Sequence, residues 1–143
     1  MTRKVPGVIA LCLLATSVIS GLYGISLFSI TAAGIYLVGG IIVWLVFIYA
    51  FCAKCPVHDQ CNRVVMGLVA GMMPKRAAGA YTRNERLAVL LFFGFVVLFP
   101  LYWLVRQPLL LLIFLILFGG NLVLTHFTCC KGCGNRFCML RYE

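Results

Sequence analysis

Acidic residues are almost missing from this chain. Asp59, Glu85 and Glu143 are the only three in 143 residues, and charged residues of both signs make up only 10%. Soluble domains carry about 25%. Between Val5 and Phe51 there is no charged residue at all. A chain so poor in charge, with 64% hydrophobic residues, cannot hide its apolar surface in water at this size. Lipid is the solvent that accepts it.

Other scarcities narrow the function. Histidine occurs twice, as His58 and His126, and no histidine pair is spaced for a haem b site. No Gly-rich phosphate loop appears. No Ser, His and Asp in a nucleophile order and no paired carboxylates point to hydrolysis. The hydrophobic stretches hold no Asp, Glu, Lys or Arg in their interiors, whereas proton pumps and ion carriers place such groups within the bilayer.

What is present divides into spans and polar connections. The charge-free run from residue 5 to residue 51 is too long for one crossing of about 20 residues. It divides at Ser26, Ser29 and Thr31 into helices over residues 6–25 and 31–51. Two further apolar runs, 87–105 and 109–127, flank Arg106-Gln107-Pro108. Pro100 is expected to kink the third helix. The expected fold is an all-α integral membrane domain spanning residues 1–143: four transmembrane helices as two helical hairpins, each followed by a Cys-rich knuckle. Arg3-Lys4 followed by an apolar core and Ser20-Gly21 also has a signal-peptide outline. The apolar run continues unbroken past it, which favours a retained span.

Ser17, Ser20, Gly21 and Gly24 recur at spacings of three and four and predict a close-packing face on the first helix, with Gly34, Gly39 and Gly40 as counterparts on the second. Asn121, beside Gly119-Gly120, is the one strongly polar mid-helix residue and reads as a link between helices. The polar segment 52–86 contains a short apolar stripe (Val64, Val65, Leu68, Val69, Met72 and Met73), which predicts a surface helix ended by Pro74. Thr82-Arg-Asn-Glu85 has the pattern of a capping box.

Twelve Lys and Arg give a net charge of +9. They lie beside the hydrophobic segments, so anionic headgroups rather than nucleic acid are the expected partner. The N-terminus, the loop 52–86 and the tail 128–143 are all basic. The positive-inside rule then predicts both termini and both cysteine clusters on the cytoplasmic side, in a bacterial or archaeal cytoplasmic membrane.

Cysteine is the abundant reactive residue. Cys12 sits within the first span and reads as a packing residue. The other seven form two groups: Cys52, Cys55 and Cys61, then Cys129, Cys130, Cys133 and Cys138. Phe51-Cys52-Ala-Lys-Cys55 and Phe127-Thr-Cys-Cys130-Lys-Gly-Cys133 share a pattern, and Asn62-Arg63 and Asn135-Arg136 recur beside them, which suggests a duplicated hairpin unit. Cytoplasmic cysteines rarely form structural disulfides. Two Cys-x-x-Cys pairs there predict metal or redox chemistry, since the spacing presents two thiolates to one ion.

Three thiolates per group is one short of the four that zinc or a [4Fe–4S] cluster takes. Shared ligation, Cys129, His58 or His126 would complete a set, and Asp59 could orient His58. Cys55-Pro56 favours an iron–sulfur cluster over zinc. Lys54, Arg63, Lys131 and Arg136 would offset thiolate charge. The leading expectation is a redox or electron-transfer accessory subunit of a larger membrane complex, or a homo-oligomer, not a catalyst on its own. Soft-metal handling through a thiolate relay and a zinc-stapled assembly protein are the alternatives.

Overall fold

The computed structural model describes residues 5–55 and 64–130. All regular secondary structure among the described residues is helical, with no strand. Helix α1 is Val5–Ser26 and α2 is Ile30–Phe47, extended by a π turn over Ile48–Cys52. Helix α3 is the short Val64–Met72 and α4 is Arg83–Leu104. Helix α5 is Pro108–Leu124, extended by a second π turn over Thr125–Cys130. Four of these helical stretches, those built on α1, α2, α4 and α5, are long and apolar enough to cross a membrane.

Their boundaries follow from local chemistry. Ser29 caps α2, its hydroxyl accepting from the Ala32 N–H at 3.2 Å. Pro108 opens α5 at its first turn, where a missing N–H costs nothing. Thr82 and Glu85 form the expected capping box: the Thr82 N–H donates to Glu85 Oε2 at 2.7 Å, and the Glu85 N–H donates to Thr82 Oγ1. That box corrects one expectation. Helix α4 starts at Arg83, four residues before residue 87, so it contains Arg83, Glu85 and Arg86. Pro100 is buried inside α4, and the helix runs through it.

The contacts between helices fix an alternating up-and-down order. Near the start of α1, the Ala10 carbonyl accepts from the Asn121 side-chain amide near the end of α5. Towards the other end of α1, a Cβ at Gly21 would stand 3.3 Å from Pro100 of α4 and 3.5 Å from Phe114 of α5, and Gly24 lies against Leu104 and Leu110. The Tyr36 hydroxyl of α2 donates to the Val96 carbonyl of α4 at 3.3 Å. The most extensive packing is α1 on α5 and α2 on α4, whereas α4 and α5 touch little although only three residues join them. Sequence neighbours are therefore not the main packing partners.

The small-residue face of α1 behaves as expected: Ser17, Gly21 and Gly24 are all buried. On α2 only Gly39 has a close neighbour, the Phe95 ring lying 2.7 Å from where a Cβ would sit. Gly34 and Gly40 face open space. Large apolar side chains such as Leu90, Leu98 and Ile116 cover the outside and are mostly exposed, as a lipid-facing surface requires.

Aromatic rings dominate the core where α2 meets α4. Phe47 stacks on Phe92 with centroids 4.7 Å apart, and Phe51 stacks on Tyr81 at 4.5 Å. Such pairs add about 0.5–1.5 kcal/mol each beyond their burial. Helix α3 joins this cluster through Met66 and Ala70, while Leu68 and Met72 are exposed. The stripe read from the sequence therefore combined two faces of α3. At the opposite end of the bundle the two short turns meet, with Phe28 near Trp103 and the Arg106 guanidinium 5.8 Å from the Phe28 ring centre.

Candidate metal centre

The alternating helices bring the start of α1, the π turn Ile48–Cys52, the start of α4 and the π turn Thr125–Cys130 to one end of the bundle. Both second helices of the expected hairpins thus pass into a π turn where the first cysteines of each group occur. π turns are rare and often mark functional positions. Nothing in the residue types of Ile48–Cys52 or Thr125–Cys130 signals them in advance.

In the first group, the Cys55 N–H donates to the Cys52 carbonyl at 3.0 Å, closing a tight turn over Ala53 and Lys54. Cys52 and Cys55 are both half-buried. A turn of this kind suits a Cys-x-x-Cys pair, because it sets both side chains on one local arc. In the second group, Cys129 and Cys130 end the π turn. Cys61, Cys133 and Cys138, with His58 and Asp59, lie outside the described residues. Among the described residues no three His, Cys, Asp or Glu side chains converge. His126 packs edge-on against Phe127, centroids 5.3 Å apart, in a half-buried position. Cys12 is exposed on the outer face of α1.

A charged cluster lies beside the first turn. Glu85 is almost fully buried, and Lys54 Nζ approaches its Oε2 at 3.1 Å while Arg76 Nη2 approaches its Oε1 at 2.8 Å. Lys54 also donates to the Ala80 carbonyl at 2.7 Å and lies over the Tyr81 ring. The Arg76 N–H donates to the Ala53 carbonyl at 3.3 Å. The segment leading into α4 is thereby tied to the Cys52–Cys55 turn. Two cations against one carboxylate leave a net +1 next to these cysteines. The Lys54 ammonium, which the sequence offers as a counter-charge to the thiolates, is paired with the Glu85 carboxylate as well. The sequence signalled the capping role of Glu85 and gave no sign of this second one, since Lys54 is 31 residues away.

Two kinds of cavity border the bundle. Apolar grooves of about 340 and 470 Å³ run between α1 and α2, sharing Ile19 and Leu37. A small cavity of about 30 Å³ lies between α1, α3 and α5 at the cysteine end, and Asn121 and Thr125 both line it. Comparison with family models, with curated proteins and with solved structures gives no match to this chain. The class that the fold defines is a helical protein with four candidate membrane spans.

Proposed function

We propose that this chain is a membrane-anchored metal–thiolate protein. Cys52, Cys55, Cys61, Cys129, Cys130, Cys133 and Cys138 would supply the ligands, facing the cytoplasm. An iron–sulfur cluster is the favoured group and zinc the second choice. The protein would serve as a redox accessory subunit of a larger membrane complex. The observation that carries this reading is that Cys52 and the Cys129-Cys130 pair, which open the two cysteine groups, fall in two π turns at one end of the bundle. The tight turn at Cys52–Cys55 and the net positive charge of Lys54, Arg76 and Glu85 suit an anionic thiolate site. When bound, a cluster would supply one-electron chemistry, and this chain's part would be to hold it at the membrane surface.

Anaerobic purification with elemental analysis and an optical spectrum tests the proposal. Iron and acid-labile sulfide with broad visible absorption are expected, lost when Cys52 and Cys133 are both changed to Ser. Stoichiometric zinc, with unfolding on chelation and no redox response, would replace the redox role by a structural one. A folded, colourless preparation free of both metals would refute metal binding altogether.

A further inference from the structure

The Thr125 hydroxyl is a buried polar group with no hydrogen-bond partner among the described residues, and the residue is only 4% exposed. In a helix interior a threonine hydroxyl ordinarily finds a carbonyl one turn back. Thr125 stands at the first position of the π turn, where the regular ladder changes step. Its side chain lines the cavity between α1, α3 and α5 together with Asn121, itself buried.

The Asn121 amide donates to the Ala10 carbonyl. An amide has a further N–H and an oxygen acceptor, so Asn121 can serve a second partner inside the cavity. The remaining wall is apolar: Leu11 and Leu14 of α1, and Val65 and Met66 of α3. A cavity needs roughly 10–15 Å³ to take one water, and the water needs two or more polar partners. About 30 Å³ and two polar side chains meet both conditions.

From this geometry we infer that one internal water molecule occupies the cavity, bridging Thr125 Oγ1 and the Asn121 side chain. It completes the polar contact that joins α1 to α5, with Val65 and Met66 of α3 along its wall. The site is a hydrated point within the membrane-spanning interface, four residues ahead of Cys129. It does not depend on any metal being bound.

The test uses the full chain in detergent micelles or nanodiscs. With a methyl-labelled threonine sample, a cross-peak between water and the Thr125 methyl group is expected, and it should vanish in Asn121→Leu. Thr125→Val keeps the shape and removes the hydroxyl. Its melting temperature should fall by about 2–4 °C, the scale of one lost hydrogen bond in a chain of this length. The double variant should fall by less than the sum of the two single changes, because both remove the same water. Either of two results overturns the inference: no water cross-peak at Thr125 in the parent protein, or a Thr125→Val variant that melts at or above the parent. The second would mean that the hydroxyl is buried dry.

Discussion

Arg76 Nη2 lies 2.8 Å from Glu85 Oε1, and that contact fastens the polar segment before α4 to the helix itself. Lys54, 31 residues earlier in the chain, donates to both oxygens of the same carboxylate, 3.1 Å from Oε2 and 3.3 Å from Oε1. Glu85 is thus shared by three jobs: it caps α4, and it holds Lys54 and Arg76. Removing it leaves a nearly buried lysine without its counter-charge. Breaking a buried pair from one side costs about 3–5 kcal/mol. Arg76 keeps about a third of its exposure, which moves the expectation to the lower end. Glu85→Ala should therefore destabilise the protein by about 3 kcal/mol. Thr82→Ala, which removes only the cap, should cost about 1 kcal/mol. Thermal unfolding of the two variants in the same detergent checks the order.

The glycines of the first two helices give a paired prediction. A Cβ added at Gly21 would stand 3.3 Å from Pro100, and one at Gly40 would meet open space. Gly21→Val overfills the contact of α1 with Pro100 and Phe114, at a cost of about 1–3 kcal/mol. Gly40→Ala should leave stability unchanged or raise it, since alanine favours helix and meets nothing. Melting curves of the two variants, run side by side, decide it. Equal losses would mean that the α1 face is not the tight one.

Cysteine variants should divide by position. Cys12 is exposed on the outer face of α1, well apart in sequence from either cysteine group. Cys12→Ser should keep the full metal content of the purified protein. Cys52→Ser and Cys55→Ser should each lower it several-fold, because the two share one tight turn. Elemental analysis of the three variants is the measurement. Metal loss from Cys12→Ser would instead favour a relay through the membrane.

Side preference can be read with reporter fusions. The basic residues of the loop 52–86 and of the tail predict that the cysteine end faces the cytoplasm. A fluorescent protein fused after Glu143 should be bright, and a periplasm-dependent phosphatase at the same position should be inactive. The reverse pattern would put the thiols in an oxidising compartment and make disulfides the expected chemistry.

Much of this architecture is legible in the sequence because each signal is local. The charge-free run before Cys52 locates two spans, Pro74 follows the end of α3, and Thr82 with Glu85 announces the start of α4. Ser17, Gly21 and Gly24 mark the packed face of α1 through spacing alone. The features that escape are non-local or geometric. The pairing of α1 with α5 is a choice among apolar surfaces that look alike. The bond between Lys54 and Glu85 joins residues 31 positions apart. On α3, Leu68 and Met72 have the same apolar character as Met66, and only packing tells the exposed face from the buried one. Of the candidate site, the residue types and spacings are visible at once. The π turns that carry Cys52 and Cys130 are not, since they depend on how the helix ends are held.

Those two π turns have a mechanical consequence. Each amounts to one residue more than an α-helix would use over the same stretch. Removing a single residue from Ile48–Cys52 or from Thr125–Cys130 would let the helix relax to α geometry with the chain beyond kept nearly in phase. Removing a second would leave nothing to absorb the loss, and everything beyond would swing by about 100° around the helix axis, the angle one residue subtends. Such a double deletion, with every cysteine left in the chain, would aim one group in a different direction from the other. In this protein the angular phase of each helix end is therefore as much a part of the cysteine arrangement as the cysteines themselves.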